Sequence, residues 1–159
     1  MSDFKQKIPK PQIQGSKPST FLKAARLRTL PLSLSGIIVG SFLAYADGYF
    51  NWMICGLALL TTIGFQVLSN FANDYGDGVK GTDNLDRIGP KRALQSGVIS
   101  PKEMLTAIKI TGIITFLIAV VLLYISFGID NIGYFLLFLF LGLASIAAAI
   151  KYTMGKKAY

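Results

Sequence analysis

The fold of this chain is decided by the stretch MLTAIKITGIITFLIAVVLLYISF, Met104–Phe127. Its 24 residues carry a single charge, Lys109, which lies close to one end. A helix needs roughly 20 mostly apolar residues to cross the hydrocarbon core of a bilayer. The stretch therefore predicts a helix that spans a membrane.

Three further runs have the same character and contain no Asp, Glu, Lys or Arg: Leu30–Ala46, Trp52–Ala72 and Gly133–Ile150. Of all 159 residues, 52% are hydrophobic and 15% are charged, whereas about a quarter are charged in soluble domains. We therefore predict an all-α fold, a polytopic membrane helical bundle with transmembrane helices at about 30–46, 52–72, 101–127 and 133–150. The composition excludes a soluble enzyme, a secreted disulfide scaffold and a disordered tail.

The basic residues alternate with the predicted spans and give the chain a net charge of +8. Seven of the 16 Lys and Arg precede the first span, five lie in the link 73–103 and three follow the last span, whereas the links 47–51 and 128–132 have none. This is the pattern of the positive-inside rule for four spans with both termini in the cytoplasm. The charge thus indicates a lipid bilayer as partner, and no nucleic acid.

The first residues of the chain differ from the rest. Residues 1–18 are polar and basic and show no apolar period, which predicts a mobile tail before a membrane domain of residues 19–159. Ser19 or Thr20 is expected to cap a short helix through Leu30 that rests on an anionic leaflet, and a solvated basic tail fits these residues nearly as well. Further on, Ser100 and Glu103 form a capping-box pattern that predicts a helix start at the residue after Ser100.

The histidine and cysteine content limits the kinds of catalytic and metal site that this chain can form. The chain has no histidine and one cysteine, Cys55. The missing histidine excludes His-based metal sites and nucleophiles that are activated by a histidine. A single thiol cannot form an internal disulfide, so Cys55 gives no information about the redox compartment.

A stripe of polar side chains is predicted at the end of the second membrane helix, if that helix continues past residue 72. At about 100° per residue, the stripe falls within roughly a 100° arc and comprises Gln66, Asn70, Asn73, Asp74 and Asp77. Polar groups at membrane depth usually mark a functional site. Asp74 and Asp77 lie about one turn apart, and two close carboxylates repel unless a cation lies between them. Since the ligand atoms are all oxygens, the stripe favours Mg²⁺ over zinc.

The link after the stripe contains cations that could bind phosphate oxygens: Arg87, Lys91 and Arg92. Its glycines leave room for backbone to approach such a group. Mg²⁺ held by few carboxylates takes its remaining ligands from water and substrate phosphates. The residues thus predict a lipid diphosphate site at a membrane face. The alternative is a solvated polar loop whose aspartate spacing has no function.

The motif NDYGDGVKGTD, Asn73–Asp83, followed by DRIGPKR, Asp86–Arg92, resembles the first aspartate-rich motif of the intramembrane aromatic prenyltransferases. The segments AARLRTLP, Ala24–Pro31, and QSGVI, Gln95–Ile99, are similar to the branch of that family that prenylates 1,4-dihydroxy-2-naphthoate in menaquinone biosynthesis. The resemblance extends over roughly residues 20–159.

The resemblance implies an enzyme of the cell inner membrane that transfers a polyprenyl group from an all-trans polyprenyl diphosphate to dihydroxynaphthoate, giving demethylmenaquinone. It implies Mg²⁺ as cofactor, held by Asn73, Asp74, Asp77 and Asp83. Asp74 and Asp77 would be catalytic. The substrate-binding residues would be Asn70, Asn73, Lys80, Arg87, Lys91 and Arg92. The family's third motif position falls on Gly81 in this chain, so the role of the next carboxylate, Asp83, stays open.

The length of the chain departs from the family, which has nine spanning helices and a second aspartate-rich motif. Four predicted spans and one motif lead us to expect the N-terminal half of such an enzyme, inactive by itself, or a natural half-size protein. A small four-helix transporter or channel subunit is the alternative from another class, although such proteins usually have an ionisable residue deep in a span. A CDP-alcohol phosphotransferase fits less well, because its motif differs at Lys80-Gly81. A structural or assembly protein is the last alternative.

Overall fold

The structure, a computed structural model, describes residues 15–80 and 92–154, and every regular element in these two ranges is helical. The helices are α1, Lys17–Ala25; α2, Leu30–Ala46; α3, Trp52–Lys80; α4, Pro101–Phe127; and α5, Ile132–Met154. A short 3-10 turn, Leu27–Thr29, joins α1 to α2. The all-α fold predicted from the sequence is confirmed.

Within residues 15–80 and 92–154, three segments are long and apolar enough to cross a membrane: Lys17–Ala46, Trp52–Val79 and Pro101–Phe127. The fourth predicted span corresponds to α5, whose described apolar part is Ile132–Ala148. The 23 residues of α5 extend over about 34 Å at 1.5 Å per residue. The fold is therefore that of a multi-pass membrane helical bundle.

The bounds of α2 and α4 are those expected from the apolar runs and from the capping box. At the start of α4, the Ser100 hydroxyl accepts a hydrogen bond from the Glu103 backbone N–H, and the Glu103 carboxylate accepts one from the Ser100 N–H. By contrast, α3 continues to Lys80, well past the expected end near residue 72. The helix can continue because its polar side chains find partners in other elements.

The N-terminal segment, defined here as residues 17–29, differs from expectation. α1 begins at Lys17 after Ser16, so it starts before Ser19 and Thr20, and it ends at Ala25. Arg26 then adopts a left-handed conformation with φ 51° and ψ 49°, which interrupts the helix expected to run through Leu30. Of the predicted tail, residues 1–14 lie outside the described part of the chain.

The helices α3 and α4 form an antiparallel pair with the most extensive contact among the described helices. Gly64 lies so close to the buried side chain of Thr115 that a Cβ at residue 64 would overlap the Thr115 Oγ1. One turn further on, Leu68 lies against Gly112. Small residues thus let the two backbones approach closely, as is common between membrane helices.

Buried side chains concentrate where α3 ends and α4 begins, which we call the motif end. The hydrophobic ones are Ala24, Ala25, Phe71, Ala93, Ile99 and Met104. Three buried polar residues, Thr20, Asn70 and Asp74, lie among them. The N-terminal segment, α3 and the start of α4 therefore form one small core around the polar end of α3.

Candidate functional site

The first two residues of the polar stripe on α3, Gln66 and Asn70, bind the chain just before α2 and at its start. The Ser33 hydroxyl donates to the Gln66 Oε1 at 2.7 Å, and the Gln66 Nε2 donates to the Thr29 Oγ1 at 3.2 Å. The Asn70 Nδ2 donates to the Ala25 carbonyl oxygen at 2.8 Å. Because Ala25 is the last residue of α1, this bond satisfies a carbonyl that has no partner within its helix.

The Asp74 carboxylate is bound from two sides. Its side chain is 3% exposed and forms an ion pair with Arg26, whose Nη2 is 2.7 Å from the Asp74 Oδ1. The backbone N–H of Ala93 donates to the Asp74 Oδ2 at 3.4 Å. Asp74 thus connects the N-terminal segment and the chain after residue 91 to the end of α3.

The Asp77 carboxylate lies one turn further along α3 and forms an ion pair with the Arg92 guanidinium. The Asp77 side chain is 32% exposed, about ten times the exposure of Asp74. A reactant or an ion arriving from water therefore meets Asp77 before Asp74.

Two arginines and two aspartates, Arg26, Asp74, Asp77 and Arg92, form a cluster of balanced charge, which we call the charge cluster. Burial lowers the pKa of the Arg92 guanidinium, the negative charge of Asp74 raises it, and the positive charge of Arg26 lowers it further. The charges of both members of the Arg26–Asp74 pair thus act on the Arg92 guanidinium. A guanidinium stays protonated under such opposing influences, so Arg92 remains a cation.

The turn that follows Arg92 packs directly on α3. The Arg92 N–H donates to the Gln95 Oε1 at 3.3 Å, and the Ser96 hydroxyl donates to the Ala93 carbonyl oxygen at 2.6 Å. Leu94 lies against Gly78, where an added Cβ would be 2.9 Å from the Leu94 Cβ. A glycine at residue 78 is therefore needed for the close approach that brings Arg92 to Asp77.

The structure brings together three of the predicted site residues, Asp74, Asp77 and Arg92, and places Asn70 next to them. Asn73 lies half-buried on the same helix. The remaining predicted residues, Asp83, Arg87 and Lys91, and the side chain of Lys80, lie outside the described part. Arg26 and the Ala93 N–H were missed by the sequence analysis. The resemblance of Ala24–Pro31 to the prenyltransferases was the signal that could have identified Arg26.

The donor chemistry at the motif end fits a hard divalent cation. Asn73 and Asp77, one helical turn apart, offer oxygen ligands of the kind that Mg²⁺ prefers, and Mg²⁺ needs few protein ligands when it also binds phosphate. Both Asp74 oxygens accept hydrogen bonds from other groups. Among residues 15–80 and 92–154, no group of three or more Asp, Glu, Cys or His is placed to hold a metal ion.

Residues 33–159 match the sequence profile of the UbiA prenyltransferase family, so the chain belongs to that family. This confirms the resemblance seen in Asn73–Asp83. Prenyltransferases of the family are generally dependent on a divalent metal.

Curated relatives carry the name 1,4-dihydroxy-2-naphthoate octaprenyltransferase. The chain is 44% identical to the Escherichia coli protein over 92% of its own length and 47% of the relative. It is 46% identical to the Haemophilus influenzae protein over 91% of the chain and 47% of the relative, and 32% identical to the Mycobacterium tuberculosis protein over 87% and 44%. The chain thus spans about half the length of the curated relatives it matches. No solved structure matches it.

Proposed function

We propose that this chain supplies the diphosphate-binding part of an enzyme that transfers a polyprenyl group to 1,4-dihydroxy-2-naphthoate, giving demethylmenaquinone. The observation that carries the proposal is the Asp77–Arg92 pair, a partly exposed carboxylate beside a cation at the end of a membrane helix. The names of the relatives supply the reaction and its acceptor. Nothing observed favours the transporter that the sequence left open.

The residues of the motif end would act on the diphosphate. Asn73 and Asp77 would hold Mg²⁺, which supplies positive charge to the departing diphosphate. Arg92, together with Lys80, Arg87 and Lys91, would bind diphosphate oxygens, since guanidinium and ammonium groups stabilise the charge that develops on the leaving group. Asp83 remains a candidate additional ligand. Asp74 contributes differently, because its oxygens are engaged by Arg26 and by Ala93.

The allylic C–O bond of the polyprenyl diphosphate breaks, the electron pair leaves with the diphosphate, and the electron-rich naphthoate ring attacks the allylic carbon. Overall, the ring gains the prenyl group and loses its carboxyl group as CO₂, whose bonding electron pair stays in the ring. The immediate product is therefore the quinol form of demethylmenaquinone, and the step consumes no oxidant. The apolar faces of the membrane helices would accommodate the isoprenoid tail, with the diphosphate at the polar end of α3.

The test is an assay on membranes from cells that express the whole polypeptide in which this chain occurs. With a labelled polyprenyl diphosphate and Mg²⁺, product is expected with dihydroxynaphthoate and not with a monocyclic hydroxybenzoate. Product with the hydroxybenzoate alone would reject the proposed acceptor. The 159-residue chain by itself is expected to give little product, because it carries one of the two motifs of the family. Robust activity of the chain by itself would contradict the half-site assignment.

The proposal includes the cell inner membrane as location, with both ends of this chain on the cytoplasmic side. Single cysteines at Asp47, Asp130 and Lys91 in a Cys55→Ser background test the orientation. A membrane-impermeant thiol reagent added to intact cells is expected to label positions 47 and 130, and position 91 only after permeabilisation. Labelling of position 91 in intact cells would reverse the orientation.

A further inference from the structure

The polar stripe on α3 is used in two different ways along its length. Gln66, Asn70 and Asp74 are bonded to Thr29, Ala25 and Arg26 of the N-terminal segment. The rings of Phe21 and Phe71 add an edge-to-face contact with centroids 5.9 Å apart. Most of the stripe thus holds the N-terminal segment in place, whereas Asp77 at its end pairs with Arg92.

The Arg26–Asp74 pair is the charged part of this attachment, and both partners have little freedom. The Asp74 carboxylate is nearly fully buried, and a buried carboxylate is costly unless a cation and hydrogen bonds compensate it. Arg26 is the one described residue other than glycine with a positive φ, a conformation that is sterically unfavourable for a residue that carries a Cβ. The break between α1 and α2 thus directs the Arg26 side chain toward Asp74.

Asp74 also connects to the residues around Arg92. Its second oxygen accepts the Ala93 N–H, and its charge acts on the Arg92 guanidinium. Ala93 directly follows Arg92 in the chain, so holding its backbone fixes where the Arg92 side chain begins. The same carboxylate therefore determines the position of the N-terminal segment and that of the cation beside Asp77.

We propose that Asp74 is a positioning residue and not a metal ligand: its pairing with Arg26 fixes the N-terminal segment on α3 and thereby holds Arg92 beside Asp77. The inference deepens the proposed function and, for its metal-binding part, rests on it. It gives Asp74 and Asp77 separate tasks. It also includes Arg26, which precedes the residues 33–159 that match the family profile.

The attachment is measured by the accessibility of a cysteine at Ala25, a buried residue of the N-terminal segment. In the whole polypeptide with Cys55→Ser and Ala25→Cys, a charged thiol reagent is expected to react slowly in permeabilised membranes. Asp74→Asn or Arg26→Gln should each raise the rate about tenfold or more, because the first removes the anion that holds Arg26 and the second leaves the buried Asp74 carboxylate without its cation. The double variant should recover most of the protection, since it leaves no unpaired charge.

Two controls separate this effect from general unfolding. Arg28→Gln removes an exposed arginine two residues further on and should leave the rate unchanged. A cysteine at Thr115, buried between α3 and α4, should stay protected in all variants. Unchanged labelling of residue 25 in both single variants overturns the inference, and so does equal exposure of residues 25 and 115.

The metal part is tested by titrating the purified whole polypeptide with Mn²⁺, followed by electron paramagnetic resonance, as a probe of the divalent site. Asp77→Asn should weaken Mn²⁺ binding about tenfold or more, whereas the Arg26→Gln/Asp74→Asn double variant should bind like the parent. Equal weakening by the double variant would show that Asp74 is a metal ligand. If the parent binds no Mn²⁺, the proposed metal site fails, while the labelling result still decides the role of the Arg26–Asp74 pair.

Discussion

The motif end and the opposite end of the bundle, where the links 47–51 and 128–131 lie, are built differently. At the motif end, buried hydrophobic residues such as Ile99 and Met104 surround buried polar ones such as Asp74. At the opposite end, large side chains are exposed: the exposed fraction is 85% for Tyr49 and 83% for Trp52. No residue of α2, which is described in full, is buried.

The difference shows where specific packing is needed. An apolar helix face can lie against lipid chains without loss of stability, so it requires little burial against other parts of the protein. A buried carboxylate or guanidinium, by contrast, is destabilising unless oppositely charged and hydrogen-bonding groups are held beside it. The motif end is therefore ordered by its charges, and substitutions there should have larger effects than matched substitutions elsewhere.

The largest effect is expected for Asp77→Asn in the whole polypeptide. The change keeps the size of the side chain and removes the charge that faces Arg92 and the proposed Mg²⁺. Turnover in the membrane assay at saturating Mg²⁺ should fall on the order of 10³-fold, in line with the loss of one electrostatic contact to a transition state. The matched control is Asp130→Asn in an exposed link at the opposite end, which should keep parental activity. Activity of Asp77→Asn near that of the control would remove Asp77 from the site.

A methionine pair tests the comparison of the two ends by stability alone. Met104 at the motif end is 0% exposed, whereas Met53 near the start of α3 is 60% exposed. Met104→Ala should lower the free energy of unfolding in detergent by about 2–5 kcal/mol through lost burial and a cavity. Met53→Ala should change it by less than about 0.5 kcal/mol. Equal effects of the two substitutions would show that the ends do not differ in packing.

The close contact in the middle of the bundle provides an intermediate case. Gly64→Ala should destabilise the chain by about 1–3 kcal/mol, because the new Cβ overlaps the stiff, buried Thr115 side chain. Gly56→Ala on the same helix meets nothing within 4 Å and should stabilise it by about 0.5–1 kcal/mol through helix propensity. Adding Thr115→Ala to Gly64→Ala should restore part of the loss. If it restores nothing, the contact between these two residues is not the cause.

The smallest effect is expected at the helix start. Ser100→Ala removes the acceptor for the Glu103 N–H and half of the capping box, and should cost about 1 kcal/mol in thermal unfolding. Ser145→Ala, an exposed serine inside α5 whose hydroxyl bonds the Leu141 carbonyl, is the matched control and should cost less. A larger loss for Ser145→Ala would indicate that the cap does not stabilise α4.

Part of this structure follows from the sequence because the deciding signals are local. The apolar run of α2 stops at Asp47, and the Ser100–Glu103 box sets the start of α4, so these bounds need only neighbouring residues. The polar stripe on α3 was found in the same way, from the spacing of residues on one helix. The pairing of Asp77 with Arg92 joins two predicted site residues, although their contact was not predicted.

The rest depends on partners that are distant in the chain. The end of α3 at Lys80 was not predicted, because hydropathy falls at Asn73 while the helix is maintained by bonds to other elements. The left-handed Arg26 has no local signal of the kind that a glycine gives. Its pairing with Asp74, and the bond from Asn70 to Ala25, require knowledge of which helices are neighbours.

The distance in sequence between Arg26 and Asp74 has a consequence for biosynthesis. The two residues are 48 positions apart, and Lys17 is 86 positions from its partner Glu103. At roughly 5–20 residues per second, a ribosome makes Arg26 about 2–10 s before Asp74, and Lys17 about 4–17 s before Glu103. The N-terminal segment must therefore wait until α2, α3 and the start of α4 have been made before it can dock. A bulky domain fused just before Lys17 would therefore interfere with this late docking step.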